Sequence, residues 1–113
     1  MQASAQWIAD AVSGRLVGSD ACVTGTVVTD SREASAGSLY VARRGENADG
    51  HAFVHGAIER GAVAVIAERE LEEAVAQIIV EDSTRALGDL ARAHVDALRS
   101  RGTLDVIAMT GSV

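Results

Sequence analysis

The sequence predicts an α/β fold: a small layered domain with a mixed, mostly buried sheet flanked by helices. Segments with apolar residues at helical spacing alternate along the chain with short segments rich in Val and Ile. Gly residues and polar clusters separate these segments. The chain has 113 residues, which is enough for one compact domain and not two.

The first half of the chain is predicted to contain one helix and two strands. These are a helix from Ser4 to about Arg15, a strand over residues 21–29 broken at Gly25, and a short buried strand over residues 39–42. Ser4 has the hydroxyl that helix N-caps prefer. We expect Trp7 to lie in the core and Cys22 to be a buried, unreactive thiol.

The second half is predicted to contain two helices and three strands. In order, these are a helix over residues 50–60, strands over residues 62–67 and 77–81, a helix from Asp82 or Ser83 to about Ser100, and a strand over residues 105–109. Asp49 is the expected cap of the first helix, and Phe53 faces the core. Gly61 and Gly102 end the two helices. The acidic run from Glu68 to Glu73 is expected to be a solvated face.

Charge and composition exclude several classes of function. The formal net charge is −6, which argues against a surface for nucleic acid or anionic membranes. All 10 basic residues are Arg, so the chain contains no Lys for Schiff-base chemistry or for a complete phosphate-binding loop. No apolar run approaches the ~20 residues that span a bilayer. The single Cys22 favours a reduced, cytoplasmic setting.

Three strings of residues carry a family resemblance. The first is Thr-Asp-Ser-Arg at residues 29–32, followed by Gly-Ser-Leu-Tyr-Val-Ala at residues 37–42. The second is Arg-Gly-Glu-Asn-Ala-Asp-Gly-His-Ala-Phe at residues 44–53, and the third is Val-Ile-Ala-Met-Thr-Gly-Ser at residues 106–112. Their order and spacing over nearly the whole chain resemble the N-terminal domain of the Mur ligases that extend a UDP-N-acetylmuramoyl peptide.

Within the family, the two later enzymes resemble the chain most. Thr-Gly-Ser at residues 110–112 and the segment over residues 80–91 are more similar to the last ligase, which adds D-alanyl-D-alanine, than to the preceding one, which adds the third amino acid. The chain departs from the family pattern at Ala36, where Pro is common, and at Ser38 and Tyr40, where the family has an acidic residue and Phe.

The resemblance implies that this domain anchors the UDP part of the substrate. The residues implied to bind UDP are Ser31, Arg32, Arg44, Gly45, Asn47, Asp49, Gly50 and His51. Their chemistry suits the ligand, because a guanidinium pairs bidentately with phosphate and Gly lets the backbone approach a uracil ring closely. His51 is expected to donate a ring N–H to a phosphate near a helix N-terminus. These residues are expected to share one hollow.

The resemblance also implies a domain plan and a set of partners. Residues 1–82 form the UDP-binding domain, residues 83–102 a linking helix, and residues 103–113 the start of an ATP-binding domain. Thr110, Gly111 and Ser112 are the first part of the ATP loop, and ATP and Mg²⁺ serve the complete enzyme. UDP-N-acetylmuramoyl-tripeptide and D-alanyl-D-alanine are the other partners implied. The implied complete enzyme is a cytoplasmic monomer, and this part is not catalytic alone.

Simpler interpretations stand beside these. Asp30-Ser31-Arg32 alone is more typical of an Asx turn with an exposed Arg, and His51 alone of a surface helix residue. His94 is expected to pack on an apolar helix face, and His55 has no evident partner. The three His residues lack metal-ligand spacing. Two functional alternatives stay open: the ligase that adds the third amino acid, and a non-catalytic α/β interaction module.

Overall fold

The computed structural model describes residues 2–43, 50–72 and 75–105, the last eight of these as backbone only. The strands are β1 Ala3–Ser4, β2 Arg15–Val17, β3 Cys22–Val23, β4 Val27–Val28, β5 Leu39–Val41, β6 Ala64–Ala67 and β7 Ala76–Ile79. The helices are α1 Ala5–Ala11, α2 Val54–Glu59 and α3 Ser83–Asp105, with 3-10 turns at Ser31–Glu33 and Gly50–Phe53.

Five of the strands form one mixed sheet in the order β2-β7-β6-β5-β4. Strands β4, β5, β6 and β7 are parallel, and β2 pairs antiparallel with β7 at one edge. Strands β1 and β3 form a separate antiparallel pair. The predicted α/β class with a mixed, buried sheet is therefore confirmed.

Helices cover both faces of this sheet. Alternation along β5 sends Leu39 and Val41 to the face covered by α1 and α3, and Tyr40 to the face covered by α2. All four residues of β6 are buried, as expected for a central parallel strand covered on both sides. Packing of the helices on both faces holds the sheet in place. The polar loops begin at the ends of its strands.

The helix starts agree with the sequence. The Ser4 hydroxyl accepts a hydrogen bond from the Trp7 N–H at 3.1 Å, which caps α1. The Asp82 carboxylate accepts from the Thr84 and Arg85 N–H groups at 3.0 and 3.2 Å, which caps α3. Gly61 ends the second helical segment with φ +115°, a conformation that side chains disfavour.

The predicted end of the first helix is wrong. Helix α1 stops at Ala11, four residues early, and residues 15–17 join the sheet as β2. Gly14 packs so closely on β7 that an added Cβ would lie 2.8 Å from the Ile78 side chain. The chain leaves the helix at this contact and turns back along the sheet.

Three predictions of burial are also wrong. Trp7 is 38% exposed because Ile8, its neighbour in sequence, occupies the inner face of the short helix. Phe53 is 48% exposed at the end of a 3-10 turn, where α2 has not yet begun. Cys22 is exposed because it alternates with the buried Val23 along β3.

Helix α3 runs through Gly102 to Asp105, so the predicted stop at Gly102 is wrong. A Gly inside a helix costs about 1 kcal/mol relative to Ala but does not by itself end it. Ala86 and Leu90 on its first turns belong to the main core. The strand predicted over residues 105–109 lies, apart from Asp105, outside the described residues. No described helix is long and apolar enough to cross a membrane.

Candidate functional site

Two polar loops leave the sheet side by side. Strands β4 and β5 are parallel neighbours, with Val28 opposite Tyr40. Three residues further on, the chain reaches Ser31 in the β4–β5 loop (residues 29–38) and Arg43 in the β5–α2 connection (residues 42–53). Both loops therefore start at the carboxyl edge of the sheet, where open α/β folds bind ligands.

The β4–β5 loop begins with a turn held by Asp30. The Asp30 carboxylate accepts from the Arg32 backbone N–H at 2.9 Å, and from the Arg32 guanidinium at 3.1 and 2.8 Å. The Arg32 side chain is 81% exposed. The Asx turn with an exposed Arg is therefore confirmed, and the guanidinium is prealigned at the sheet edge next to Ser31.

The pairing changes the acidity of Asp30. Hydrogen bonds from the Arg32 side chain and backbone lower the pKa of Asp30 from 3.8 to about 2. Because the pKa is lower in the folded state, the pair stabilises the fold above about pH 4, and this contribution is lost as pH falls toward 2.

Substituting Arg32→Ala should raise the pKa of Asp30 only part of the way back to 3.8, because it removes the side-chain hydrogen bonds but keeps the backbone N–H of residue 32 and the weaker attraction of Arg60. A carboxyl-carbon NMR titration measures this directly. Arg92→Ala is the matched control, because Arg92 pairs with Asp89 instead and should leave the Asp30 titration unchanged. A wild-type midpoint near 3.8 would show that the pair does not form in solution.

The β5–α2 connection is closed at its base by two hydrogen bonds. The Gly50 N–H donates to the Arg43 carbonyl at 2.7 Å, and the Tyr40 hydroxyl donates to the Gly50 carbonyl at 2.9 Å. An added Cβ on Gly50 would lie 2.5 Å from the Arg43 carbonyl oxygen, so only Gly fits there. Four predicted site residues of this connection lie outside the described residues: Arg44, Gly45, Asn47 and Asp49.

His51 is not a surface residue, contrary to the simple interpretation. It is 5% exposed, and its Nε2 accepts the Glu68 backbone N–H at 2.8 Å. That nitrogen therefore acts as an acceptor and does not donate. The imidazole ties the β5–α2 connection to the end of β6, because Glu68 directly follows that strand.

Glu68 is a residue that the sequence analysis missed. Its carboxylate oxygen Oε2 accepts from the Ser83 N–H at 2.9 Å and from the Ser83 hydroxyl at 3.0 Å, at the start of α3. The expectation of a uniformly solvated acidic face is therefore wrong for Glu68, although Glu70 and Glu72 are exposed. The sequence signal that could have identified Glu68 is its position directly after an apolar strand, where polar residues of α/β folds often lie at a site.

The other two His residues, His55 and His94, contact neighbouring side chains of the fold. The His55 Nε2 lies 3.6 Å from the Glu59 carboxylate one helical turn away, so the expectation that it lacks a partner is wrong. His94 packs on the apolar side of α3, as predicted. Among the described residues, no group of three or more His, Cys, Asp and Glu is placed to hold a metal ion.

Three hollows lie away from the β4–β5 loop. An apolar groove of about 380 Å³ lies between β4 and α3, beside Leu90 and His94. A second hollow of about 630 Å³ lies near Asp20 and Ile58, and a third of about 880 Å³ lies near Arg15 and Arg85. Ser31 lines none of these three, so its predicted shared hollow with the region of Asn47 stays a prediction.

A family model described as "Mur ligase family, catalytic domain" matches residues 25–95, more than half of the chain. The chain belongs to the Mur ligase family. The matched range contains the first two strings, and the family resemblance is therefore confirmed, together with the N-terminal domain type of fold. Mur ligases are ATP-using enzymes that form amide bonds.

Relatives of two kinds align with this chain. Over 90 residues it is 41% identical to UDP-N-acetylmuramoyl-tripeptide–D-alanyl-D-alanine ligase of Synechocystis, covering 77% of this chain and 19% of that enzyme. Over 83 residues it is 43% identical to UDP-N-acetylmuramoyl-L-alanyl-D-glutamate–2,6-diaminopimelate ligase of Geobacillus thermodenitrificans, covering 74% and 17%.

Solved structures of Mur ligases share the fold. MurF from Acinetobacter baumannii superposes with a TM-score of 0.70 at 30% identity, over 79% of this chain and 20% of that one. MurF from Thermotoga maritima in complex with ADP superposes with a TM-score of 0.61 at 36% identity, over 66% and 18%. The chain thus spans about a fifth of the length of the Mur ligases it matches.

Proposed function

We propose that this chain is the substrate-anchoring part of an ATP-dependent Mur ligase that adds D-alanyl-D-alanine to UDP-N-acetylmuramoyl-tripeptide. The relative in Synechocystis and the superposed MurF structures support this choice of enzyme. The observation that carries the anchoring role is the shared origin of the β4–β5 loop and the β5–α2 connection. Both start at the carboxyl edge of adjacent parallel strands.

Ser31 and Arg32 supply the polar contacts in this proposal. The Ser31 hydroxyl hydrogen-bonds the ribose or diphosphate, and Arg32 offers the diphosphate two parallel N–H groups. Asp30 holds that guanidinium in place and neutralises it. Binding therefore exchanges a carboxylate partner for a phosphate partner, with the side chain already ordered.

The β5–α2 connection supplies the base contacts. We propose that the uracil binds backbone groups of Gly45, Asn47 and Gly50, and that Arg44 and Asp49 belong to the same binding site. The hydrogen bond from Gly50 to Arg43 joins the two described parts of this connection. His51 supports the connection from beneath by its bond to Glu68.

Anchoring the nucleotide far from the reacting carboxylate serves the reaction by positioning. In the complete enzyme, ATP supplies the phosphoryl group that activates the carboxylate, with Mg²⁺ as its counter-ion. Thr110, Gly111 and Ser112, proposed as the first part of the ATP loop, lie outside the described residues. This chain's own contribution is therefore to bind and orient the substrate.

The proposed domain plan places residues 1–82 around the UDP site, residues 83–102 in a linking helix, and residues 103–113 at the start of the ATP-binding domain. The continuous helix α3, Ser83–Asp105, supports the linking role. We propose a cytoplasmic, monomeric enzyme with no nucleic-acid partner, consistent with a net charge of −6.

A second candidate is the ligase that adds the third amino acid. The relative in Geobacillus thermodenitrificans, a 2,6-diaminopimelate ligase, favours it at 43% identity. Both candidates share the UDP end of the substrate, so the anchoring role is the same. Incubating the complete enzyme with each UDP-linked acceptor and its amine distinguishes them by the product formed.

Kinetics of the complete enzyme test the anchoring role. Ser31→Ala and Arg32→Ala should each raise the KM for the UDP substrate by about tenfold, the usual effect of one lost polar contact to a charged group. The KM for ATP should stay unchanged. Arg92→Ala, an exposed Arg on α3, is the control and should change neither. An equal rise in both KM values for Arg32→Ala would refute the assignment.

A further inference from the structure

A chain of hydrogen bonds runs from the β5–α2 connection to helix α3. The Tyr40 hydroxyl donates to the Gly50 carbonyl at 2.9 Å, and the next residue, His51, accepts from the Glu68 N–H at 2.8 Å. The Glu68 carboxylate then accepts from both the N–H and the hydroxyl of Ser83. Three separate segments are thus joined through one buried imidazole and one carboxylate.

The burial of His51 and Ser83 strengthens these hydrogen bonds. His51 is 5% exposed and Ser83 is 1% exposed, so water competes poorly for their hydrogen bonds. An unsatisfied group at either position costs about 1–3 kcal/mol, so breaking either hydrogen bond is unfavourable. Glu68 also brings a negative charge to the first turn of α3, which the helix dipole favours.

We propose that His51 and Glu68 are positioning residues that hold the α2 end of the β5–α2 connection, residues 50–53, and the start of α3 in one arrangement. The inference rests on the proposed function, since the connection is the proposed seat of the uracil. Substrate bound there is then aligned with the helix proposed to lead to the ATP-binding part. We expect a shift of His51 to change the surroundings of Ser83 through two hydrogen-bonded steps, His51 to Glu68 and Glu68 to Ser83.

The test is a titration of this chain with UDP, in which NMR records the chemical shifts of the backbone amides. UDP should shift the amides of Ser31 and Gly50 directly, and those of Glu68 and Ser83 through the relay. In His51→Phe, which keeps a ring of similar size without an acceptor, the Ser83 response should disappear and the Kd for UDP should rise about tenfold. His51→Gln restores an acceptor near the Nε2 position and should restore the response.

A second pair of variants tests the hydrogen bonds between Glu68 and Ser83. Glu68→Ala should abolish the Ser83 response, whereas Glu68→Gln keeps an oxygen that accepts both Ser83 donors and should preserve it. Neither variant alters the Glu68 backbone N–H that His51 binds. A role in folding alone would lower the melting temperature of Glu68→Ala and leave the Kd for UDP unchanged.

The outcomes separate the two proposals. If Ser31 and Gly50 respond to UDP but Ser83 does not, or if Ser83 still responds in His51→Phe, the relay is refuted and the anchoring role stands. If no amide responds to millimolar UDP, the anchoring role itself fails, and the relay fails with it.

Discussion

Gly50→Ala should lower the free energy of unfolding by about 3 kcal/mol and abolish UDP binding. The new Cβ would lie 2.5 Å from the Arg43 carbonyl oxygen and 2.6 Å from the Arg43 nitrogen, both backbone atoms that cannot rotate away. Relief requires opening the Gly50–Arg43 hydrogen bond, which closes the base of the β5–α2 connection. Denaturant unfolding and a UDP titration measure the two effects.

Gly56→Ala is the matched control in the following helix. An added Cβ there meets no atom within 4 Å, and α2 gains the helix propensity of Ala. We expect this variant to be unchanged or more stable by up to about 1 kcal/mol, with normal UDP affinity. If Gly50→Ala behaves like Gly56→Ala, the close approach of Gly50 to Arg43 does not exist in solution.

Ile66→Ala should lower the free energy of unfolding by about 4 kcal/mol, the largest loss that we predict for a core substitution. Ile66 is 0% exposed in β6, which lies between two paired strands, and it belongs to the larger core beneath α1 and α3. Truncation leaves a cavity that the parallel strands cannot close without losing their pairing.

Ile66→Val supplies the graded comparison, since it removes one methyl group and should cost about 1 kcal/mol. Urea unfolding followed by circular dichroism gives both values. A loss below about 1 kcal/mol for Ile66→Ala would mean that β6 is not the buried centre of the sheet.

Much of the fold follows from local sequence signals. The continuous apolar run at residues 62–67 predicts a central strand, because apolar residues suit a strand covered on both faces. Ser4 and Asp82 mark helix starts because their side-chain oxygens satisfy free N–H groups. Strand β2 shows no such local signal. Residues 15–17 form a strand because they pair antiparallel with the open edge of β7.

The candidate site was only partly predictable for the same reason. The Asx turn at Asp30 is a contact between residues two apart, so the sequence displays it. The bonds from His51 to Glu68 and from Glu68 to Ser83 join residues 17 and 15 positions apart. No local pattern records such contacts, and His51 therefore resembled a surface residue until the sheet placed β5 beside β6.

A crystal structure of this chain with bound UDP tests the central claim most directly. The account predicts the diphosphate beside Ser31 and Arg32, with the guanidinium turned from Asp30 to phosphate and the uracil on the β5–α2 connection. UDP seated instead in the apolar groove beside Leu90 and His94, or in the hollow near Asp20, would contradict it.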